Sequence, residues 1–411
     1  MNVHFVGIGG IGVSALARYY LKKGWRVTGS DGTRSEITDA LKREGVRVFI
    51  GEHKREHLSS SANLVVYSPA VHADNPELCR AEELKQAGGR VDILSYPEAL
   101  GELTKTHYTI AVAGTHGKST TTAMLGLLLT KAGLDPTVIV GTMLKEFGFS
   151  NFRAGGGKKL VRGMPLLVLE ADEHFASFLH YSPSMIVLTS IEADHLDYYK
   201  NLSNVVRTFG RFISRLPGDG CLVCNGEDEN TRRMMSKVQC KIQEYSINKQ
   251  KEGEMLRKIL KVPGEHNVAN ALAALTAARE LGVGDEVSFK SLGMYKGAWR
   301  RFEIFRVSKP KPYTLVSDYG HHPTEVGVTA DAARKKWPKK TIWLVFQPHQ
   351  YQRTHLLFKD FTRVLANLPV DRQKPSPPRS SERSPRIPWC TYRHTKMLSG
   401  IFRARYAGAR L

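Results

Sequence analysis

The chain has 411 residues, which is enough for two or three domains with buried cores. Its hydrophobic fraction of 41% and charged fraction of 24% are typical of a globular protein, and five cysteines are too few for a disulfide framework. The formal net charge of +21 is unevenly spread, because residues 371–411 contain ten Lys and Arg but only two Asp and Glu. No nucleic-acid-binding motif accompanies this charge, so we expect no nucleic acid partner. The excess of positive charge in residues 1–370 favours an enzyme that binds phosphorylated anions.

The sequence also speaks against a membrane protein. No apolar run is long enough to span a bilayer, and the first residues form a strand pattern rather than a basic, cleavable targeting segment. We therefore expect a cytoplasmic protein with no membrane partner. The sequence leaves the oligomeric state unknown.

The first hundred residues alternate short strand and helix patterns, which predicts a doubly wound parallel sheet. Strands are predicted at residues 3–7, 25–30 and 64–67, and helices at residues 14–23 and 36–44.

A glycine-rich segment follows the first strand and opens the first helix. It contains Gly7, Gly9, Gly10 and Gly12, and Asp31 ends the next strand. This is the dinucleotide-binding fingerprint in its proper context. The same geometry holds any nucleoside diphosphate, so the spacing does not separate NAD from other nucleotides.

A second α/β unit begins at residue 108, with strands predicted at 110–113, 166–170 and 185–189. Its first strand leads into Gly-Thr-His-Gly-Lys-Ser at residues 114–119, before a helix pattern. Such a turn cradles phosphate: Lys118 can reach the β- and γ-phosphates and Ser119 can offer its hydroxyl to Mg²⁺. The spacing differs from the common P-loop, which would place its first glycine at Val112. The turn predicts ATP or GTP as a ligand.

Acidic residues follow the next two strands of this unit. The strand at 166–170 ends at Glu170, followed by Asp172 and Glu173, and Glu170 is the preferred Mg²⁺ ligand. The strand at 185–189 leads to several acids around His195, which is either a second metal ligand or a structural histidine.

Further polar residues lie at the starts of helices in the remaining chain. Asn267 and Asn270 are one turn apart and either read a base edge or cap the helix. Arg301 supplies a guanidinium group suited to phosphate oxygens. A third unit has strands at 314–317 and 341–346 around a helix at 323–336, and the loops after these strands carry residues 318–322 and 347–354.

Seven of these segments, in this order, resemble the Mur ligases. They are Gly-Ile-Gly-Gly-Ile-Gly at 7–12, Gly-Thr-His-Gly-Lys-Ser at 114–119, Glu-Ala-Asp-Glu at 170–173, Ile-Glu-Ala-Asp-His-Leu-Asp at 191–197, Gly-Glu-His-Asn at 264–267, Arg-Arg-Phe-Glu at 300–303 and Asp-Tyr-Gly-His-His-Pro at 318–323. The resemblance implies an ATP-dependent, Mg²⁺-requiring amide ligase of peptidoglycan synthesis. Its partners would be ATP, L-alanine and UDP-N-acetylmuramate, whose lactyl carboxylate accepts the alanine.

The resemblance also assigns roles to individual residues. The uridine diphosphate contacts would be Gly9, Gly10, Ile11, Gly12, Ser30, Asp31, Ser68, Pro69 and Ala70. The ATP contacts would be Gly114, Thr115, His116, Gly117, Lys118, Ser119, Thr120, Asn267 and Asn270. Ser119 and Glu170 would bind one Mg²⁺, and Glu170 and His195 the other. The catalytic residues would be Lys118, His195, Arg301, His321, His322 and Arg353, with Tyr319 among the substrate contacts and Asp318 orienting the amine.

The implied fold is α/β with a Rossmann-like N-terminal domain at 1–104, a P-loop ATPase-type central domain at 105–296 and an incomplete Rossmann-like C-terminal domain at 297–368. The Pro/Ser/Arg-rich tail at 369–411 is expected to be disordered. It stands where the family's third domain continues, so we expect a weakly stable or weakly active chain. His174 and Phe175 also replace the Ser-Asp or Tyr-Asp that commonly follows Glu-Ala-Asp-Glu in the family.

Three alternative functions stay open at this point. A related ligase attaches a whole peptide to the same sugar nucleotide by the same chemistry. The fingerprint at 7–12, taken alone, would favour an NAD-dependent oxidoreductase. The third alternative is a truncated, inactive nucleotide-binding remnant.

Overall fold

The computed structural model describes residues 1–235, 238–249 and 251–375. Within these ranges the chain forms three α/β units in sequence. No helix in the described ranges has both the length and the apolar character needed to cross a bilayer.

The N-terminal unit is a five-stranded, fully parallel sheet, as predicted. Its strands are β1 (Asn2–Val6), β2 (Arg26–Asp31), β3 (Arg47–Ile50), β4 (Leu64–Tyr67) and β5 (Asp92–Ser95), in the order β3-β2-β1-β4-β5. Its helices are α1 (Ile11–Lys22), α2 (Glu36–Arg43), α3 (Pro76–Gln86) and α4 (Tyr96–Lys105), with a short 3₁₀ turn at Arg55–His57. The strand order reverses between β1 and β4, where α/β sheets place their ligand crevice.

The central unit contains a larger sheet in the order β13-β12-β11-β6-β10-β7-β8, with β9 on the side of β10. Its strands are β6 (Tyr108–Ala113), β7 (Thr137–Leu144), β8 (Ser150–Arg153), β9 (Leu160–Val161), β10 (Met164–Glu170), β11 (Met185–Leu188), β12 (Cys221–Asn225) and β13 (Lys241–Tyr245). Its helices are α5 (Lys118–Lys131), α6 (Leu196–Tyr199), α7 (Leu202–Ile213), α8 (Glu229–Met235), α9 (Glu252–Ile259), α10 (Glu265–Glu280) and α11 (Asp285–Leu292), with 3₁₀ segments at Lys145–Phe147 and His174–His180.

The central sheet is covered on both faces, which explains why β6 is buried at every position. Ile110 and Val112 join the apolar cluster built with α5 and α10. Ala111 and Ala113 point the other way, into a cluster that also contains Phe5 and Leu16 of the N-terminal unit. This alternation follows from the two-residue period of a strand. The first two units therefore share one continuous apolar core.

The C-terminal unit, expected to be an incomplete Rossmann-like domain, combines short strand pairs with helices. In the part that the structure describes, β14 (Glu303–Val307) pairs antiparallel with β15 (Tyr313–Ser317), and β16 (Trp343–Phe346) pairs parallel with β17 (Arg372–Pro375). The two pairs form separate sheets. The helices are α12 (Pro323–Lys336), α13 (Tyr351–Leu356) and α14 (Phe358–Ala366).

The position of β17 corrects the predicted start of the tail. Residues 372–375 lie in the segment that we expected to be disordered, but their backbone hydrogen bonds extend the sheet edge of β16. The pairing of these residues with β16 gives them strand structure, although their Pro/Ser/Arg-rich composition predicts none. The rest of the predicted tail, residues 376–411, lies outside the described residues. The domain boundaries at 104/105 and 296/297 stay predictions.

Helix α1 joins the N-terminal unit to the central one through a buried polar contact. The Asn151 side chain on β8 accepts a hydrogen bond from the Arg18 guanidinium (2.7 Å) and donates to the Ser14 hydroxyl (3.0 Å). Arg18 and Asn151 are almost completely buried. Buried donors and acceptors of this kind are expensive to leave unpaired.

We expect Asn151→Ala to lower the free energy of unfolding by about 2 kcal/mol, because it leaves part of the buried Arg18 guanidinium without an acceptor. Urea unfolding measures the change. Lys22→Ala, at an exposed position of the same helix, is the control and should change stability by less than about 0.5 kcal/mol. Equal stability of Asn151→Ala and the wild type would contradict the bridging role.

Candidate active site

The predicted phosphate loop lies between β6 and α5, at the carboxyl edge of the central sheet. Gly114 and Gly117 have φ angles of +132° and +81°, in the region that favours glycine. A β-carbon on Gly114 would collide with Thr189, and one on Gly117 would collide with Asn270. Two neighbouring segments therefore enclose the loop so tightly that both glycines are required.

Lys118 is the first residue of α5, and its ammonium group lies inside the loop. It donates to the carbonyl oxygen of Gly114 (2.8 Å) and to the Glu173 carboxylate (2.8 Å). Burial alone would lower the pKa of Lys118, but the charges of Glu173 and Asp172 outweigh it and raise the pKa above its usual value. A buried cation is thus held at the position where a phosphate-binding lysine acts.

Ser119 and Glu170 lie together, as the metal prediction requires. The Ser119 hydroxyl donates to Glu170 Oε1 (2.9 Å), and the backbone N–H of Gly141 donates to Glu170 Oε2 (2.7 Å). A hydroxyl and a carboxylate next to a phosphate loop are oxygen donors of the kind that Mg²⁺ prefers. These residues therefore fit one Mg²⁺ ion.

His195 belongs to a different group of possible ligands from the predicted one. Its ligand atoms cluster within 4.8 Å of those of Asp172 and Glu173, and this group does not include Glu170. Burial lowers the pKa of His195 to about 4 despite the opposing charge of Asp194, so the ring is neutral at pH 7, the form that binds metals. Asp172, Glu173 and His195 are therefore a group that could hold a second metal ion, and the pairing of His195 with Glu170 stays a prediction.

The ring of His174 packs against His195, with ring centroids 4.2 Å apart and planes 18° apart. The ring of Phe175 stacks on the ring of His174, with centroids 4.0 Å apart. His174 and Phe175 depart from the family's usual sequence. His174, with Phe175 packed on it, therefore supports the ring of the candidate metal ligand His195.

Arg353 comes from the C-terminal unit and reaches the same loops. Its guanidinium Nε donates to the Asp194 carboxylate at 2.8 Å, and both side chains are only 6% exposed. His322 also contacts the central unit, through Nε2 and the Ala193 carbonyl oxygen at 3.2 Å. These contacts place the loops after β15 and β16 over the central site.

Arg301 and the loop after β15 complete this face. The Arg301 guanidinium lies over the Tyr319 ring, 5.5 Å from its centroid, and 3.8 Å from the Glu325 carboxylate.

Asp318 organises the backbone of the same face. It accepts hydrogen bonds from the backbone N–H groups of Phe302 (2.8 Å) and Gly320 (2.7 Å). His321 Nδ1 is 3.1 Å from the Tyr319 carbonyl oxygen. The carboxylate of Asp318 holds the backbone of this face together.

The two amides predicted to face adenine are both buried, but only one touches the phosphate loop. Asn270 packs against Gly117, whereas the Asn267 side chain donates to the Pro263 carbonyl oxygen (2.6 Å). Their contact with the base stays a prediction.

The residues predicted to bind uridine diphosphate are gathered at the crevice of the N-terminal sheet. The backbone N–H of Gly9 donates to the Asp31 carboxylate (2.8 Å). The Ser68–Ala70 loop adjoins Gly7, where an added β-carbon would lie 2.9 Å from Ser68 Cβ. Gly10 caps the start of α1, whose first N–H groups suit a phosphate.

A network that the sequence analysis missed lies behind Ser30. The fully buried carboxylate of Glu77 accepts from the Ser30 hydroxyl (2.7 Å) and lies 2.7 Å from His4, 2.9 Å from His53 and 3.2 Å from His57. Burial acts to raise the pKa of Glu77, but these partners outweigh it and lower the pKa to about 2. His4, the pair His53 and His57, and Glu77 come from three separate segments of the chain, so no local spacing signal pointed to this network.

Tyr96 was also missed, although it links the two predicted binding regions. A β-carbon on Gly12 would lie 2.6 Å from the Tyr96 hydroxyl. Burial raises the pKa of Tyr96, and the charges of Glu170 and Asp172 add to this effect. The Tyr96 phenol therefore adjoins the start of α1 and lies close enough to Glu170 and Asp172 to sense their charges. Its position at the start of a helix after β5 is the only sequence signal that could have found it.

Together the phosphate loop, the oxygen ligands beside it and the two flanking α/β units define a nucleotide-binding α/β protein of three units. Models of three domains match in the expected order: "Mur ligase family, catalytic domain" over residues 2–108, "Mur ligase middle domain" over 112–278 and "Mur ligase, glutamate ligase domain" over 300–373. The chain belongs to the Mur ligase family.

Individual relatives agree with this family. The UDP-N-acetylmuramate–L-alanine ligase of Clostridium kluyveri is 39% identical over 389 residues, covering 89% of this chain and 81% of that protein. The crystal structure of the UDP-N-acetylmuramate-alanine ligase MurC of Thermotoga maritima matches with a TM-score of 0.73 and 27% identity, covering 92% of this chain and 91% of that one. A murein peptide ligase from Psychrobacter arcticus matches with a TM-score of 0.68 and 25% identity, covering 92% and 90%.

We expect Gly117→Ala to weaken nucleotide binding at least ten-fold, because the new methyl group combines an unfavourable φ with a collision against Asn270. Titration with a non-hydrolysable ATP analogue measures the affinity. Gly133→Ala is a matched control, since Gly133 has a φ of +79° at the other end of α5 but open space around it. Equal affinities of the two variants would contradict the tight enclosure of the loop.

We expect Glu77→Gln to lower the free energy of unfolding by about 3 kcal/mol at pH 7, from the depressed pKa of the carboxylate. The folded pKa of about 2 lies below the ordinary 4.5, so this stability is present above pH 4.5 and is lost as the pH falls towards 2. Urea unfolding at pH 7 and pH 3.5 should show a smaller difference from wild type at the lower pH. Glu82→Gln, exposed on the same helix, should show neither effect.

Proposed function

We propose that this chain catalyses the ATP-dependent ligation of L-alanine to UDP-N-acetylmuramate. The observation that carries the proposal is the geometry around α5: Lys118 lies inside the phosphate loop, and Ser119 shares a carboxylate, Glu170, with the backbone of the neighbouring strand. The 39% identity to a ligase with this printed name supports the choice of substrates.

The chemistry begins with a carboxylate, which is a poor electrophile. A lactyl carboxylate oxygen attacks the γ-phosphorus of ATP, the bond to the β-phosphate oxygen breaks and ADP leaves. The product is an acyl phosphate, whose phosphate is a good leaving group. Lys118 neutralises charge on the phosphoryl group as it moves, and Arg301 approaches from the C-terminal unit. Ser119 and Glu170, and the group of Asp172, Glu173 and His195, would hold Mg²⁺, which would supply further neutralisation of the phosphate charge.

The second step is attack by the alanine amine on the acyl phosphate. The new C–N bond forms through a tetrahedral intermediate, the attacking nitrogen loses a proton, and the C–O bond to phosphate then breaks to release inorganic phosphate. His321 and His322 precede α12, and Arg353 lies in α13; contacts of His322 and Arg353 direct these elements to the central unit, and the three side chains would contact the amino acid and the intermediate. The Tyr96 hydroxyl lies next to Gly12 of the N-terminal crevice, where it would adjoin the bound sugar nucleotide.

The domain boundaries 1–104, 105–296 and 297–368 are part of this proposal, with the third domain extended to residue 375 by β17. The reaction consumes ATP and a nucleotide sugar, which favours a cytoplasmic location.

A second candidate is ligation of a whole peptide to the same sugar nucleotide. The structural match to a murein peptide ligase favours it. The two activities differ only in the nucleophile, so the nucleophile is the variable that an experiment has to change.

A phosphate-release assay with ATP, Mg²⁺ and UDP-N-acetylmuramate tests both candidates. We expect release with L-alanine and little with a tripeptide; the reverse result would assign the peptide ligase. Lys118→Ala should lower the rate by about 10²–10³-fold, the range for loss of one charge-stabilising group. Lys131→Ala, at the exposed far end of the same helix, is the control and should keep the wild-type rate. No release with either nucleophile, together with NADH binding, would favour the oxidoreductase alternative.

A further inference from the structure

The contact between the central and C-terminal units is built from polar groups at the start of α12. The Thr324 hydroxyl donates to the Glu192 carboxylate at 2.8 Å. One residue further on, Glu325 Oε1 lies 3.3 Å from Nδ1 of His116, which is part of the phosphate loop. The loop that binds nucleotide is therefore tied directly to the C-terminal unit.

Glu325 makes further contacts besides the one with His116. Its second oxygen accepts hydrogen bonds from the backbone N–H groups of His321 (2.9 Å) and His322 (3.3 Å). The Arg301 guanidinium lies 3.8 Å from the carboxylate, which is only 15% exposed. A single buried carboxylate thus touches the phosphate loop, the candidate phosphoryl-binding arginine and the loop with both candidate catalytic histidines.

The charges on the two sides of this contact are complementary. Nε2 of His116 lies 3.5 Å from Glu192, so the ring is between two carboxylates. Burial alone would lower the pKa of His116, but Glu192 and Glu325 outweigh it and raise the pKa to about 9. The ring is therefore an imidazolium at pH 7, and its hydrogen bond to Glu325 is charge-assisted.

We propose that Glu325 is a positioning residue that clamps the C-terminal unit onto the phosphate loop through His116 and thereby holds Arg301 at the nucleotide site. The proposal rests on the nucleotide-dependent ligase function stated above, and it assigns to His116 a role in domain closure rather than in phosphate contact. The ordinary alternative is that Glu325 merely caps α12, since it stands in a capping box with His322.

Glu325→Gln separates the two roles. Glutamine keeps the length of the side chain and serves in a capping box as well as glutamate does, but it removes the charge that faces His116 and Arg301. A capping role predicts a variant that behaves like the wild type. A purely electrostatic effect on ATP predicts tighter nucleotide binding, because a negative charge near the phosphates is removed. The clamp instead predicts a lower kcat.

The experiment is a double-mutant cycle of Glu325→Gln and His116→Gln in the full chain, with kcat and KM for ATP from phosphate release. We expect each single variant to lower kcat about ten-fold and the double variant to lower it no further, since both break the same contact. UDP-N-acetylmuramate affinity should stay within about two-fold. Asp331→Asn, at an exposed position of α12, is the matched control and should keep the wild-type kcat. A hundred-fold loss in the double variant, or an unchanged kcat in Glu325→Gln, would overturn the clamp.

Small-angle X-ray scattering gives a readout that does not need turnover. With a non-hydrolysable ATP analogue and Mg²⁺ present, Glu325→Gln should have a larger radius of gyration than the wild type and Asp331→Asn, because the C-terminal unit is released. A wild-type radius for Glu325→Gln refutes the clamp. If the wild-type chain releases no phosphate but the radius still grows in Glu325→Gln, the proposed ligase function fails and the clamp stands.

Discussion

The parallel register of three central strands is the constraint on which the site depends. Glu170 at the end of β10 pairs with Val112 of β6, and Leu188 at the end of β11 pairs with Ala113. All three strands therefore end at one level, and the loops that follow them emerge side by side. The phosphate loop, the carboxylates after β10 and the His195 segment meet because of this register. A slip of one residue would turn every one of these side chains to the opposite face.

Burial of charge is the second constraint, and it follows from the first. The loop encloses an ammonium group that must stay charged to meet phosphate, and a lone buried cation would lose its proton. Glu173 prevents this by pairing with Lys118. The pairing also has a consequence for the partner: burial raises the pKa of Glu173 to about 7, although Lys118 acts against it. The carboxylates after β10 therefore keep Lys118 protonated, so that its positive charge is available to a phosphate group.

Much of this arrangement was readable in the sequence, and the exceptions have physical reasons. Six strands of the first two units (β1, β2, β4, β6, β10 and β11) were predicted to within a few residues because buried parallel strands are short apolar runs between turn signals. Lys118, Ser119 and Glu170 were found because each stands at a fixed offset from such a strand. Glu77 and Glu325 were missed because their partners come from distant segments. The proximity of Asp172 and Glu173 to His195 was not predicted, since spacing alone does not tell which carboxylates a histidine faces.

The C-terminal unit shows the limit of local patterns in another way. Helix α12 was predicted with its observed bounds, because His322 and Pro323 mark its start. The pairing of its strands was not, since the residues of β14 and β15 suit either an antiparallel pair or part of a larger sheet. Strand β17 is held by hydrogen bonds to β16, which composition does not reveal.

The N-terminal and central units contact each other mainly through apolar side chains, whereas the C-terminal unit contacts the central unit through polar ones. The first two units are joined by a shared apolar core, which ions in the solvent hardly weaken, so they move as one body. The third unit meets that body through Arg353 and Asp194, Thr324 and Glu192, and other polar pairs. Buried pairs such as that of Arg353 and Asp194 are screened only weakly by dissolved ions, but each is lost when one partner is removed. A substitution at one of these pairs therefore weakens the docking of the third unit without touching the apolar core that joins the other two.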